Sequence, residues 1–366
     1  MKNSAIFLCD VIPKQNEGIY KKVYAQAKEI AKKYGTCHFI AKSENGCYHS
    51  VISSENIKEI YETADIYNIS NDVIRKENVQ FIYVRHMLPS HRHICFIKFC
   101  KKKAIKLYYE IPTYPYFGEQ IKSSTHKLRT LLRISLDAVT WPFIYQYLNK
   151  LIVIRSNSKV KIYQKMKLSV NGVVTNDISD NIHGITRGNE IHFAIVGTLY
   201  YYHGIDRFIK GMKEYQDRNG KYQVYLHIVG ESPEIYKLRN IVEKHNIKNV
   251  YFHGYKSTDE LNEMFNKIDV GIGCLALYRR NADIDTTLKI IEYMCRGIPV
   301  LTSGLLPVKR TELEKTAIFI SNNNSVINIE EVCNTYIKIS IDEKKKLSEI
   351  ARKIFDWSFI MERNLQ

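Results

Sequence analysis

Short apolar runs alternate with amphipathic stretches along almost the whole chain. In the first half, AIFLC (5–9), CHFIA (37–41), FIYV (81–84), IKLYY (105–109) and LIVI (151–154) predict buried strands. Between them, IYKKVYAQAKEIAKKY (19–34) and HICFIKFCKKK (93–103) repeat their apolar positions at helical period. In the second half, IHFAIVG (191–197), QVYLHIVG (223–230), NVYFHG (249–254), VGIG (270–273), IPVLTS (298–303) and AIFI (317–320) predict a second set of strands. GIDRFIKGMKEY, PEIYKLRNIVEKH and TDELNEMFNKI separate them as helices. Continuous apolar strands alternating with helices imply parallel sheets covered on both faces. Two such series predict an α/β chain of two Rossmann-like, doubly wound parallel-sheet domains.

The polar stretch NDISDNIHGITRGNE (176–190) has no periodicity and holds two glycines, so the join is expected there. This gives an N-terminal domain over 1–175 and a C-terminal domain over 176–343. KKKLSEIARKIFDWSFIMERN (344–364) reads as one long helix with no strand after it, free to cross back over the first domain. No internal repeat or low-complexity tract interrupts the pattern. Open α/β sheets bind ligands outside the carboxyl ends of their strands, so function is sought just after these runs.

The length of 366 residues suits two domains. The eight cysteines show no C-x-x-C pair and no zinc spacing, and several lie in apolar runs. They read as reduced, structural thiols of a reducing cytosol. MKNSAIFLCDVIP is too short an apolar run for a signal peptide, and no stretch approaches the ~18 apolar residues of a membrane span. The expected location is cytoplasmic, with a peripheral place on the inner face of the plasma membrane left open. The net charge of +16 is concentrated: residues 91–170 carry sixteen Lys or Arg against three Asp or Glu. Such a field attracts polyanions, whether nucleic acid, anionic lipid or diphosphate. It is also compatible with a merely solvated lysine-rich face.

Two segments carry candidate chemistry. In IVGTLYYYHGIDRFI (195–209) a strand ends at Gly197, and a helix opens near Gly204. Glycine lets backbone approach a ligand, and a helix start offers N–H groups to phosphate. In DIDTTLKIIEYMCRGIPVLTS (283–303), Thr286 and Thr287 precede a helix that places Lys289 and Glu292 on one face, with Asp285 able to cap. Hydroxyls and a lysine at a helix start suit a diphosphate, and a nearby carboxylate suits ribose hydroxyls. The same segment reads equally well as an ordinary capped amphipathic helix.

The succession VG-x-L…HGIDRFI, LHIVGE, VYFHGY, DVGIG and TTLK-x-x-EYM-x-x-GIPV resembles the donor half of retaining GT-B glycosyltransferases of family GT4, the glycosyl transferases group 1. VIPKQNEGIYKKVYAQ (11–26) resembles that family's glycine loop, YYEIPTYPYFGE (108–119) a motif of its bacterial surface-polysaccharide subgroup, and VNGVVT (170–175) its closing segment. The likeness is thin over 42–80 and 176–190.

The resemblance implies two domains facing across a cleft, the donor in the C-terminal one and the acceptor mainly in the N-terminal one. It places Glu292 on the ribose. It places Thr286, Thr287, Leu288 and Lys289 at the diphosphate, Gly197 and Thr198 beside it, and backbone at Tyr255 and Lys256 at the nucleobase. Gly18 would let the first domain close over the diphosphate. The family's usual Arg and Lys are here Thr198 and His203, and its first motif glutamate falls at Ile284. The missing charge is assigned to Lys289, Arg207, Arg279 and a protonated His203, whose pKa a diphosphate would raise. His203 and Lys289 are thus expected at the chemistry. Glu110 after its strand either orients the sugar or caps a turn, and Arg85 and His86 draw a weaker suspicion.

No strand end carries Asp-x-Asp apart from the loop sequence 283–285, so metal-independent transfer without a cofactor is expected. Cations and helix-start amides would stabilise the leaving diphosphate in an oxocarbenium-like reaction. The expected partners are a nucleotide-sugar donor, UDP-sugar first, and a glycan or polyprenyl-diphosphate-linked acceptor. HKLRTLLRISLDAVTWPFIYQYL (126–148) mixes basic and aromatic residues, as helices at an anionic membrane surface do, and as many core helices do. The rival reading is a basic nucleic-acid-binding protein, but no recognition motif supports one. A GT-B epimerase or phosphorylase would share the fold. An oxidoreductase is disfavoured because no G-x-G-x-x-G follows a strand.

Overall fold

The run Asn3–Cys9 forms β1, whose residues after Asn3 are all buried, at the centre of a mixed sheet in the computed structural model. The structure describes residues 3–13, 18–43, 46–53, 57–62, 65–87, 90–116, 120–121, 124, 126–179 and 188–366. Part of the expected glycine loop (14–17) and of the expected join (180–187) lies outside them. The chain divides into two units, one of residues 1–155, 159–169 and 357–366, the other of 156–158 and 170–356.

The first unit's strands follow as β2 (Thr36–Ser43), β3 (Gly46–Ser53), β4 (Ile57–Glu62), β5 (Asn78–Arg85), β6 (Lys106–Tyr114), β7 (Lys150–Arg155) and β8 (Met166–Ser169), in the order β4-β3-β2-β1-β5-β6-β7-β8. The core from β2 to β8 is parallel, but β3 and β4 add to its edge antiparallel. These two strands are not among the predicted runs because in GCYHSVIS and IKEIYE polar residues interrupt the apolar ones. Helix α1 (Gly18–Tyr34) buries Tyr20, Val23, Ala27, Ile30 and Ala31, a stripe at helical spacing. It is followed by α2 (Ile66–Lys76), α3 (His91–Lys102) and α4 (Lys127–Tyr145). Helix α4 turns Ile134, Asp137 and Ile144 inward, yet Leu128, Leu132, Leu136, Val139 and Phe143 stand exposed on its other side.

The second unit is a parallel sheet of β9 (Glu190–Val196), β10 (Gln223–Val229), β11 (Val250–Gly254), β12 (Val270–Ile272), β13 (Val300–Thr302) and β14 (Ala317–Phe319), ordered β11-β10-β9-β12-β13-β14. Its helices are α5 (Ile205–Asp217), α6 (Pro233–Lys244), α7 (Thr258–Phe265), α8 (Leu288–Cys295), α9 (Thr311–Lys315), α10 (Ile329–Tyr336) and α11 (Ile341–Phe355). The unit begins at Val170, ahead of the boundary expected at 176. Val173 donates its N–H to Phe355 O at 2.9 Å, and Thr175 donates to the Asp356 carboxylate, so this segment is tied to the unit's own last helix. The single helix expected over 344–364 breaks at Asp356, whose backbone is extended. Before the break, Leu347, Ala351 and Phe355 join the second core. After it, α12 (Trp357–Leu365) belongs to the first unit, where Lys33 Nζ donates to Leu365 O at 3.0 Å.

His93 sits fully buried in the first core, hydrogen-bonded through Nδ1 to the Tyr67 hydroxyl at 3.0 Å. Burial, with a smaller contribution from His86, pulls its pKa from 6.5 down to about 4. The folded value lies below the unfolded one, so the unfolded chain binds more protons between them. The resulting stability is complete above pH 6.5 and is lost as pH falls towards 4, amounting to about 3 kcal/mol. Urea unfolding measured from pH 7 to 4 should show this loss, and His93→Gln, neutral throughout, should remove most of it. Parallel pH profiles for the two proteins would refute the assignment.

Candidate functional site

Strand order in the second sheet runs outward from β9 in one direction and then from β12 in the other. The two are neighbours, with Phe193 opposite Val270 and Ala194 opposite Gly271. Loops leaving the carboxyl ends of such a pair diverge to opposite faces and leave a crevice. At the end of β9, Gly197 has φ +113°, and the space where its Cβ would project is open for 4 Å. That position needs glycine and leaves room for a ligand.

The loop after β12 is organised by Asp285, which is completely buried. Its Oδ2 accepts from Cys274 N–H at 2.7 Å and Thr302 Oγ1 at 3.0 Å. Its Oδ1 accepts from Thr287 N–H at 3.2 Å and Thr287 Oγ1 at 2.7 Å. A Cβ on Gly273 would lie 2.4 Å from Oδ2, so this close approach requires glycine. Thr287 is the N-cap of α8, but its hydroxyl is turned to Asp285 and gives the helix no side-chain cap. The first-turn amides at Leu288 and Lys289 are therefore left to a ligand or water. Thr286 is buried, and its carbonyl accepts from Asn171 Nδ2 at 2.6 Å. Behind this turn, buried Tyr293 fixes α8 to the sheet by accepting Val196 N–H at 3.1 Å.

Lys289 and Glu292 lie on α8 as expected. Glu292 Oε1 accepts from Arg296 Nη2 at 2.8 Å. Oε2 makes no hydrogen bond among the described residues, and the side chain is 35% exposed. Arg296 thus holds one carboxylate oxygen and leaves the other without a hydrogen-bond partner among the described residues. Sequence reading passed over Arg296, although its i,i+4 spacing from Glu292 was a usable signal. Lys289 Nζ lies 3.2 Å from His203 Nε2, which joins the loop after β9 to the helix after β12. Burial draws the Lys289 ammonium down to about 8, with Cys274 and Asp285 opposing the shift and Arg280 adding to it.

Three of the cations assigned to a diphosphate are placed otherwise. Arg207 is buried and donates to the carbonyls of Leu275, Ser325 (2.8 Å) and Ser321 (3.1 Å), so its charge secures loops. Arg279 forms a two-pronged pair with Asp206 at 2.7 and 2.8 Å and donates to Tyr201 O, so its charge is already matched. His203 is not protonated: burial, then Lys289 and Arg280, hold its pKa well below the ordinary value. Its Nδ1 accepts from Tyr200 N–H at 2.9 Å. Among the described residues, Lys289 is the nominated cation committed to neither a carboxylate nor a carbonyl. Asp283 is also spoken for, accepting from Ser158 N–H at 2.7 Å and from the Ser158 hydroxyl. No group of three or more His, Cys, Asp or Glu suited to a metal occurs among the described residues.

Thr198 is exposed beside Gly197. Tyr255 is exposed just past β11, and Lys256 pairs with Glu260 at 3.3 Å. Gly18 opens α1 in the first unit. Glu110, also in that unit, is not available to orient a substrate. It is 1% exposed, pairs with Lys22 at 2.8 Å and accepts from Tyr83 at 2.6 Å and Gln26 at 2.7 Å. It ties β6 and β5 to α1. His86 faces Asp137 at 3.3 Å beneath α4, and Arg85 lies opposite Glu110 in the sheet.

Residues 179–354 match the family model of the glycosyl transferases group 1. No curated protein matches the chain in sequence. Sucrose-phosphate synthase from Thermosynechococcus elongatus is similar in structure, with TM-score 0.66 and 14% identity over 99% of this chain and 98% of that one. The lipopolysaccharide outer core galactosyltransferase WaaB gives TM-score 0.58 and 12% identity over 99% and 98%. An E. coli trehalose-6-phosphate protein bound with UDP-2-fluoro glucose gives 0.60 and 11%, again over 99% and 98%. Together these likenesses give the fold as GT-B.

Asp285 should be the least replaceable residue of the site. Asp285→Asn turns an N–H donor towards another donor and removes charge from four hydrogen bonds, costing about 2–4 kcal/mol. Calorimetry should show a lowered transition, and proteolysis should nick the 274–287 loop. A cost below about 0.5 kcal/mol, the scale of ordinary surface changes, would show that Asp285 does not organise the loop.

Proposed function

The chain is a group 1 glycosyltransferase of GT-B type, and on that premise we propose that it moves a hexose from a nucleoside-diphosphate sugar, a UDP-sugar first, to a glycan or polyprenyl-diphosphate-linked acceptor in surface-polysaccharide assembly. The observation that carries this reading is the start of α8. Uncapped amides, the Lys289 amine and the partly exposed Glu292 carboxylate lie within five residues at the sheet's switch point. Amides and Lys289 suit a diphosphate, and Glu292 suits the paired hydroxyls of ribose. Tyr255 and Lys256 follow the neighbouring strand, where a base would lie.

In the proposed reaction the bond from sugar C1 to the diphosphate oxygen breaks with retention. A bond from the acceptor oxygen to C1 forms on the same face, and the acceptor proton passes to the leaving phosphate. Charge develops on that phosphate, where fixed amides and Lys289 stabilise it. No protein nucleophile or metal is assigned: Asp283 and Asp285 spend their oxygens on hydrogen bonds within the unit. The acceptor is assigned mainly to the first unit. A relative named as a galactosyltransferase of the lipopolysaccharide outer core and another bound with UDP-2-fluoro glucose support the donor and acceptor classes.

A place at the inner face of an anionic membrane belongs to the same reading. No helix among the described residues is long and apolar enough to cross a membrane. Helix α4 instead presents Leu128, Leu132, Leu136, Val139 and Phe143 along one exposed side, with Lys127, Arg129 and Arg133 exposed beside them. Its one acid, Asp137, is buried. Apolar surface flanked by cations suits anionic headgroups.

A screen of UDP-, GDP- and dTDP-sugars should find one that raises the melting temperature, and transfer should persist in chelator. Glu292→Ala should abolish most of the thermal shift. The donor assignment fails if no nucleotide sugar stabilises the wild type, or if the variant responds equally. Vesicles containing phosphatidylglycerol should bind the protein in flotation, and Leu128→Glu with Leu132→Glu should weaken that binding several-fold without changing the melting temperature. Equal flotation of both proteins, or dimerisation lost on substitution, would assign the exposed face elsewhere.

A further inference from the structure

His203 and Lys289 meet in a way that ordinary protonation states do not satisfy. His203 Nδ1 accepts the Tyr200 N–H at 2.9 Å, so that nitrogen carries no hydrogen. A neutral imidazole has one N–H, which must then be on Nε2. Nε2 lies 3.2 Å from Lys289 Nζ. An ammonium has three donors and no lone pair, so it cannot accept that hydrogen. A neutral amine can.

We propose that His203 is a positioning residue that biases Lys289 towards the neutral amine in the free protein, and that donor binding restores the full ammonium, taking from solvent the fraction of a proton that the free amine lacks. This rests on the nucleotide-sugar reading above. The surroundings are consistent with it. The titratable and charged groups that bear on Lys289 are His203 from the turn before α5, Arg280 from the turn at 277–280, Cys274 after β12, and Asp285 ahead of α8. Arg280 is a second positive charge that disfavours an ammonium, whereas Cys274 opposes that shift. Asp285 would favour the ammonium, but its oxygens are directed to Cys274, Thr302 and Thr287. Burial reinforces the neutral form. A diphosphate reverses the balance by bringing negative charge within reach of the amine. The Lys289 ammonium then turns a donor to phosphate.

The consequence is proton-linked binding. Isothermal titration of the protein with UDP, in buffers of different ionisation enthalpy, should show proton uptake rising from a minor fraction at pH 7.5 to most of one proton at pH 9. Affinity should fall roughly fivefold from pH 8 to pH 9. Lys289→Arg keeps its charge at every pH and should bind without uptake. His203→Gln offers a carbonyl oxygen to the ammonium, so uptake at pH 9 should fall although the lysine remains. Competitive acetylation of the free protein, read by mass spectrometry, titrates the same amine without a nucleotide. It should find Lys289 well below an ordinary lysine in the wild type and closer to one in His203→Gln. UDP binding without proton uptake, uptake undiminished in His203→Gln, or an ordinary Lys289 in the free protein would each overturn the inference. Failure of UDP, GDP and dTDP alike to bind would instead overturn the nucleotide-sugar reading, and the recharging step with it.

Discussion

A single buried carboxylate sets the geometry on which the second unit's site depends. Asp285 has no contact with solvent, so each of its lone-pair positions must be met from within. The groups that meet them come from three places: the end of β12, the end of β13 and the first residue of the α8 turn. Moving any one would strip hydrogen bonds from a charge that water cannot reach. The constraint also explains two smaller features. Gly273 has no side chain because a Cβ would press on Asp285 Oδ2. Thr287 spends its hydroxyl on the carboxylate, which leaves the amides of α8 uncapped. The strength of the anchor and the openness of the helix start are one arrangement.

Charge in this unit follows the same logic. Arg207 and Arg279 lie on segments next to the site, and by sequence they look like counter-ions for phosphate. Both are more strongly bound by the protein itself, through loop carbonyls and through Asp206. An arginine buried among carbonyls fixes loops in place, and removing it would leave those carbonyls without donors. The rigid crevice is therefore built with cations that are no longer available to fill it. Lys289 is different because its neighbour is a neutral ring.

The fold was largely legible because both sheets are built from short runs that are apolar on both faces. The strands β1, β5 and β7 have this form. Strands β3 and β4 do not, because polar residues such as His49, Ser50 and Lys58 interrupt their apolar ones. The break at Asp356 was hidden for another reason: its carboxylate is held by Thr175, far away in sequence. The site was legible where the signal was local. Thr287, Lys289 and Glu292 share one helix start, so spacing alone brings them together. Side-chain state was not legible, since it depends on partners distant along the chain. Asp206 precedes Arg279 by 73 positions, Lys22 is brought to Glu110 only by the packing of α1 on the sheet, and His203 reaches Lys289 only at the switch point.

Glu110 and Lys289 show how burial can lead charged groups to opposite ends. Glu110 is buried and Lys289 half-buried, and loss of water disfavours the ionised form of each. Glu110 receives an ammonium, a tyrosine hydroxyl and an amide, so its carboxylate stays ionised despite burial and its pKa is lowered. That closes the group to chemistry and makes it part of the scaffold. Among the described residues, Lys289 meets His203, whose N–H an ammonium cannot use. Its electrostatic need is left unmet by the protein, and an anion can meet it. A charged residue whose partners are complete holds a fold together, whereas one whose partners favour the wrong protonation state is prepared for a ligand.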